Sequence, residues 1–239
     1  MFNNLTEVKS WIANNYNDTN KILEQTKAIL EPISSKEQIL LLLNSLLEDP
    51  QMLLEISKRS YTHINGFDKI VLIESKSPEY KIRLHIWWPE YKISHIEHIH
   101  NHPWDFSSRV LTGELTFQTF SSQNGTGESL HYYRTFPPNP GESGHILRKM
   151  GTQTLQLMFD TTITSGSFYT MSKKIKHRVL KSSQSVNSTL IFQGPFGEGI
   201  SDLFCDKEFS GSEKVPLDFF DVDILKYKIR KYITFLLAS

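Results

Sequence analysis

The chain has 239 residues, and its 26 Lys and Arg balance its 26 Asp and Glu, which gives a formal net charge of zero. A neutral chain has no general attraction for nucleic-acid phosphates or acidic membranes, and no stretch reaches the roughly eighteen apolar residues of a membrane span. The nine histidines stand beside one cysteine, Cys205, which cannot form an internal disulfide or a thiolate zinc knuckle, so a reducing cytoplasmic location is expected.

The first sixty residues carry apolar side chains at helical spacing, as at Leu5, Val8 and Ile12. A capping box at 34–37 and the pair Asp49-Pro50 mark further helix starts. The first residues have neither a basic leader nor a small-residue cleavage site, which again favours the cytoplasm. We predict several short helices in an N-terminal segment, 1–65, that packs on the domain after it.

From about residue 68 the pattern changes to short β-rich runs separated by turn signals such as Thr112-Gly113 and Ser165-Gly166. The predicted strands are 68–75, 80–88, 106–111, 113–121, 129–136, 144–149, 153–160, 167–171, 176–181 and 187–193. So many strands without intervening helices favour an antiparallel sandwich or barrel. The predicted fold class is therefore mainly β, with the barrel at 66–200.

The remaining residues, 201–239, form a C-terminal extension that begins irregularly and closes with a helix near 217–237. Lysines and an arginine stand beside apolar residues in that helix, which is also the pattern of a membrane-surface helix. We prefer a helix docked on the barrel with its basic face in solvent.

Histidines concentrate in the middle of the chain, where five of the nine fall within eighteen residues. Along a strand, His98, His100 and His102 would project from one face, because side chains alternate with a period of two. Two imidazoles so placed can occupy adjacent corners of one metal ion, and a third ligand can come from another strand. The five are His85, His95, His98, His100 and His102.

The segment His100-Asn-His102-Pro-Trp-Asp-Phe-Ser-Ser-Arg-Val-Leu-Thr-Gly113 resembles the first motif of the cupin superfamily, which is HxH, a short gap, usually an acid, and a glycine turn. The segment from Tyr169 to Val179 resembles the second motif, an aromatic residue followed after a fixed gap by His-x-Val, here without the usual PxG. The resemblance implies a jelly-roll barrel over roughly 80–195, in which His177 closes a metal site with His100 and His102.

The spacing leaves two registers open. If His100 and His102 are the pair, the family's acid position holds Phe106 or Ser107, and the centre has three neutral imidazoles with Asp105 as a possible fourth ligand through a bulge. If His98 and His100 are the pair, Asp105 takes the acid's place, but the distance to the glycine turn is one residue too long. We prefer the first register.

A three-histidine centre is similar to that of the cupin iron(II) dioxygenases, in which substrate and O₂ meet at one metal ion. The resemblance therefore implies an enzyme, a non-haem Fe(II) oxygenase acting on a small anionic organic substrate, although zinc or nickel would also suit nitrogen ligands. The motif cysteine of the thiol dioxygenases is not matched near Phe106, and Cys205 lies far from the motif.

Further site residues are predicted around the histidines. Arg83, on the same face of strand 80–88 as His85 and Trp87, could hold a substrate carboxylate. Trp104 and Tyr169 are further candidates for substrate binding. Asp105 or His98 could act as an outer hydrogen-bond partner or proton carrier.

Two other functions compete with the oxygenase. A metal-dependent isomerase, lyase or hydrolase could use the ion as a Lewis acid, and a non-catalytic cupin could bind a small molecule without converting it. The helical segment could also make a homodimer contact.

Overall fold

A computed structural model describes residues 1–17, 22–63, 65–91, 97–122, 127–137, 144–181, 185–209, 214–215 and 217–238. Helices come first in this part of the chain: α1 (Leu5–Asn15), α2 (Ile22–Ile33), α3 (Lys36–Leu47) and α4 (Pro50–Ser57). The side chains of Asn4, Ser35 and Asp49 each accept a backbone N–H of the following first turn, which caps α1, α3 and α4. The predicted N-terminal helices are confirmed.

Strands occupy most of the chain between these helices and the last one. They are β1 (Tyr61–His63), β2 (Phe67–Lys76), β3 (Glu79–Trp87), β4 (Ile99–His100), β5 (Phe106–Thr112), β6 (Glu114–Ser121), β7 (Glu128–Phe136), β8 (His145–Thr164), β9 (Phe168–Met171), β10 (Lys176–Lys181), β11 (Asn187–Gln193), β12 (Ser201–Cys205) and β13 (Lys214–Val215). All the strand pairs are antiparallel.

The strands form two sheets. The first has the order β1-β2-β3-β11-β5-β9, and the second has the order β13-β8-β6-β10-β4-β12-β7. One part of β8 pairs with β6 and the other part with β7, so the second sheet closes back on β8. The predicted class, an antiparallel jelly roll with helices at both ends, is confirmed.

The first sheet is buried on both faces, because helices cover its outer side. Leu84 of β3 and Leu190 of β11 face outward into a core shared with the helices, whereas Trp87 and Ile191 of the same strands face inward, against Phe106. Both strands are therefore almost wholly buried, including polar side chains such as Arg83, His85 and Thr189. The inward face of this sheet is one wall of the barrel.

The predicted strands 144–149 and 153–160 are one strand, β8. Gly151, in the gap between the two predicted strands, adopts φ +126° opposite Tyr132, and the next pair joins Tyr133 to Lys149. Met150 is therefore left out of the ladder as a β-bulge, which bends the strand without ending it.

The region after Gly194, predicted to be irregular, contains strand β12 between β4 and β7. It is five residues long and lies in a turn-rich segment, so it offers little periodicity to recognise. The extension 201–239 thus supplies a strand to the second sheet as well as the final helix.

That helix, α5 (Val222–Ala238), starts several residues later than predicted and docks on the fold. Its Leu225, Ile229 and Tyr232 are fully buried, and its Lys228 ammonium lies 2.9 Å from both carboxylate oxygens of the buried Asp68 in β2. The docked interpretation is confirmed. In the described part of the chain we find no helix with both the length and the apolar character that a bilayer crossing requires.

Candidate metal centre

Three histidines meet between the two motif segments. The ring centroids of His100, His102 and His177 are 4.7 Å, 4.9 Å and 5.1 Å apart in pairs, and one ligand nitrogen from each lies within 4.8 Å of the others. His177 is buried, and the other two are partly exposed. Three nitrogens at this separation can occupy one face of a metal ion's coordination sphere.

The second sheet positions two of these side chains directly. His177 in β10 and His100 in β4 are cross-strand partners, so their side chains lie side by side on the same face. His102 follows two residues after His100. Here the chain leaves β4, and the ring stacks at 5.1 Å on Trp104.

Asn101, between the two ligands of the first motif, is held by strand β12. Its side-chain oxygen accepts the backbone N–H of Asp202 at 2.6 Å, and its own backbone N–H donates to the Asp202 carbonyl at 3.2 Å. The Asp202 carboxylate in turn accepts the hydroxyl of Tyr132 at 2.8 Å. These bonds fix the backbone between His100 and His102, a role that no feature of the sequence indicated.

The hydrogen bonds of two imidazoles assign their tautomers. Nδ1 of His100 lies 2.9 Å from the His98 carbonyl, and Nδ1 of His177 lies 3.2 Å from the Ile175 carbonyl. A carbonyl only accepts, so each Nδ1 carries the proton and each Nε2 keeps a free lone pair, as in histidines that ligate metals.

Burial favours the neutral form of two of the three imidazoles. It lowers the pKa of His177 to about 3, with a further contribution from the nearby His100. It also lowers the pKa of His102 well below its usual value. Neutral imidazoles with free lone pairs are what a divalent transition metal requires, so the donor set fits such an ion.

The structure does not bring together the ligands of the alternative register, in which His98 and His100 are the pair and Asp105 is the acid. The Asp105 carboxylate accepts the backbone N–H of Lys173 at 2.7 Å and is not part of the histidine cluster. The His98 ring packs edge-on against Phe209, with centroids 5.7 Å apart. The structure therefore brings together His100, His102 and His177 but adds neither His98 nor Asp105 to them. His95 lies outside the described residues.

Arg83 faces the barrel interior, as predicted for one face of β3. It is 6% exposed, and its guanidinium carbon lies 4.8 Å from the centre of the Trp104 ring, which also stacks on His102. Phe196 stacks on the same indole at 5.2 Å. Trp104 thus links the arginine to the histidine centre.

Tyr169 belongs to a group of aromatic rings that reaches the histidines through Phe106. It packs against Phe117 at 4.5 Å and Phe106 at 6.0 Å, and Phe106 contacts His102 and His177. Burial raises the pKa of the Tyr169 hydroxyl, so it stays protonated at neutral pH. These rings restrict water around the histidines.

The sequence offered no signal for one carboxylate near the centre. Glu97 accepts the side-chain amide of Asn65 at 2.6 Å and the backbone N–H of Val179, two residues after His177, at 2.7 Å. Burial raises the pKa of Glu97, and the charge of His100 opposes that rise. Glu97 precedes the histidine run without matching either cupin motif, so only the fold reveals it.

Lys69 and His85 also face the barrel interior. Burial, followed by the charge of Arg83, lowers the pKa of Lys69 well below its usual value. Besides burial, the charges of Arg83 and Lys69 contribute to the lowered pKa of His102. A separate cavity of about 360 Å³ lies between the helices and the first sheet, with Arg109 and Tyr232 among its lining, and none of the three histidines borders it.

Comparison with known proteins finds no matching family model and no matching curated sequence. Among solved structures, an RmlC-like cupin family protein with a double-stranded β-helix fold from Methanocaldococcus jannaschii aligns at TM-score 0.32 and 8% identity over 55% of this chain and 83% of that one. The hydroxypropylphosphonic acid epoxidase of S. wedmorenis aligns at TM-score 0.36 and 8% identity over 57% of this chain and 54% of that one.

A recombinant oxalate oxidase in complex with glycolate aligns at TM-score 0.34 and 13% identity over 57% of this chain and 54% of that one. The aligned part thus spans only about half the length of the two named enzymes. All three TM-scores lie below 0.5. The description of the fold therefore rests on the chain's own architecture: an antiparallel jelly roll of two sheets, with a glycine turn at Gly113 and three histidines gathered from the two motif segments.

Proposed function

We propose that the chain is a metal-dependent enzyme that holds a divalent transition metal with His100, His102 and His177. The observation that carries the proposal is the convergence of three imidazoles, two of which have their Nδ1 atoms directed to backbone carbonyls. Histidines serving only the core would not need to place three lone pairs within one coordination sphere.

Fe(II) is the ion we propose, with zinc and nickel as alternatives, because nitrogen ligands alone do not select among them. Bound Fe(II) would supply oxygen chemistry at coordination positions that the three histidines leave open. Three neutral ligands also leave the ion its full double positive charge, which favours an anionic substrate. The proposed activity is that of a non-haem Fe(II) oxygenase acting on a small anionic organic molecule with O₂.

The chain's own residues would bind and orient that substrate. Arg83 is buried, retains its charge and lies one aromatic ring away from His102, so it can hold the substrate's anionic group. Trp104 and Tyr169 would border the organic part and exclude water. Asp105 or His98 would act as an outer hydrogen-bond partner or proton carrier.

Oxygen dependence tests the oxygenase directly. Fe(II)-loaded protein would be mixed with a panel of small carboxylates, phosphates and phosphonates in an oxygen electrode, with the Arg83→Gln variant as a matched control. We expect oxygen uptake that requires both metal and substrate and falls in the variant. Turnover of a substrate without O₂ would instead establish the Lewis-acid alternative, and tight ligand binding with no product would establish a binding module.

The remaining sequence-based expectations concern the protein's context. A cytoplasmic location and a homodimer through the helical segment stay predictions.

A further inference from the structure

Polar side chains form a row across the inner face of the first sheet. Lys69 of β2, His85 of β3 and Thr189 of β11 are successive cross-strand partners, so they lie side by side. Arg83 is two residues from His85 on the same face, diagonal to Lys69 at a separation of about 7 Å between Cβ atoms in a regular ladder. Two cations and two further polar groups therefore share one patch of the barrel wall.

Three of these groups are buried and each has a polar atom that makes no hydrogen bond. Arg83, His85 and Thr189 are 6%, 8% and 0% exposed, and the Arg83 Nε, His85 Nε2 and Thr189 Oγ1 atoms make no hydrogen bond. The Lys69 ammonium donates to the Tyr61 hydroxyl at 3.0 Å. Within the described residues neither cation has an ion pair.

Burying these charged and polar groups lowers the stability of the folded protein unless a partner compensates them. A buried charge without a partner is destabilising, and two neighbouring cations repel each other as well. Asp68, the fully buried carboxylate of β2, does not help, because it is committed to Lys228, Trp88 and Tyr91. The patch thus offers hydrogen-bond donors and positive charge, and among the described residues no carboxylate forms an ion pair with it.

We propose that this patch, defined by Lys69, Arg83, His85 and Thr189, binds a phosphate or phosphonate group of the substrate. Two cations match the two negative charges of such a group, and its three terminal oxygens can accept from more of the convergent donors than the two oxygens of a carboxylate can. The Arg83 guanidinium and the Lys69 ammonium would balance the negative charge of the anion. Thr189 and His85 would supply further hydrogen bonds.

The patch is placed so that one ligand could reach both it and the histidines. The Trp104 ring contacts both Arg83 and His102. A small organic phosphate or phosphonate held at the patch would therefore extend past Trp104 to the histidine centre. This assignment of substrate class rests on the proposed function, because the part of the substrate beyond its phosphate or phosphonate group would react only if the histidines hold a metal ion.

The anion patch can be tested without any metal. Inorganic phosphate and methylphosphonate would be titrated calorimetrically into chelator-treated protein at constant ionic strength, with acetate as the comparison anion. We expect saturable binding of one phosphate or phosphonate per chain and weaker binding of acetate. Absence of saturable phosphate binding, or acetate binding of equal strength, would overturn the proposal.

Substitutions then locate the site. Arg83→Gln and Lys69→Gln should each weaken phosphate binding by about tenfold or more, the usual effect of losing a charged hydrogen-bond partner. Arg109→Gln is the matched control, since Arg109 lies on the outer face of the same sheet over the Phe168 ring, and it should leave binding unchanged. Equal losses in Arg109→Gln would contradict the assignment.

Two further measurements keep the test independent of folding and of the metal. Phosphate should raise the thermal midpoint of the wild-type protein as a ligand of the folded state does, and an unchanged midpoint would contradict binding. His100→Ala protein should bind phosphate like the wild type. Phosphate binding without metal binding would refute the proposed function alone, and metal binding without phosphate binding would refute this inference alone.

Discussion

His177 of β10 lies directly opposite His100 of β4 in the antiparallel ladder, with their ring centroids 4.7 Å apart. One residue comes from each of the two motif segments, and the second sheet sets their spacing. The third histidine, His102, joins them where the chain leaves β4. The fold thus builds the centre from strand register, and changes to that register should affect metal binding.

The clamp between Asn101 and Asp202 gives the first prediction. Asn101→Ala leaves all three histidines in place but removes the side chain that accepts the Asp202 N–H. We expect metal affinity to fall by about 10- to 100-fold, as for other losses of a group that orients metal ligands. Competition titration with a chromophoric chelator measures this. An unchanged affinity would show that β12 does not position the ligands.

Acid should destabilise the metal-free protein. An unfolded histidine takes up a proton near its ordinary pKa of 6.5, whereas burial lowers the pKa of folded His177 to about 3. Between these values the unfolded state binds the extra proton, so the free energy of unfolding falls as pH falls, by about 2 kcal/mol from His177 alone at pH 5. Urea unfolding at pH 7.5 and pH 5.0 measures the loss. His177→Gln should show a smaller loss, and an equal one would contradict this cause.

Gly113, the glycine of the first motif, should not tolerate a larger residue. Its backbone conformation disfavours a side chain, and there is no room for an added Cβ atom. It adopts φ +70°, and an added Cβ would lie 2.2 Å from Oδ1 of Asn187, which accepts the backbone N–H of Glu114. Gly113→Ala should lower the thermal midpoint more than Gly166→Ala, because Gly166 has φ +88° but open space around the added Cβ. Equal shifts would show that the left-handed conformation alone sets the cost.

Asp68 should contribute to the stability of the fold and have little effect on metal binding. Its carboxylate is fully buried and holds the largely buried Lys228 ammonium of α5 together with the Trp88 indole. Asp68→Asn leaves that ammonium without a counter-charge and should cost about 3 kcal/mol in urea unfolding. The double variant Asp68→Asn/Lys228→Met should recover part of the loss, and metal binding should persist in both. A loss of less than about 1 kcal/mol in the single variant would contradict the pairing.

Much of this architecture was readable from the sequence because burial leaves periodic patterns. The alternation in β3 indicated that Arg83 and His85 share a face with Trp87, and the two motif segments indicated three histidines that do meet. Turn residues marked most strand ends. Such features depend on local spacing, which a sequence displays.

The rest depends on pairing between distant segments, which local spacing does not display. β12 is short and follows glycines and a proline, yet it clamps Asn101. Glu97 and Lys69 reach the interior only through the register of β4, β10, β2 and β3. The gap predicted between strands 144–149 and 153–160 is closed by pairing with β7, which continues past Gly151 with a bulge.

Metal content tests the central claim most directly. Protein purified without added metal would be analysed by inductively coupled plasma mass spectrometry beside the His100→Ala/His177→Ala and His98→Ala variants. We expect about one equivalent of transition metal in the wild type and in His98→Ala, and almost none in the double variant. Less than about a tenth of an equivalent in the wild type, or an unchanged amount in the double variant, would contradict a three-histidine metal centre.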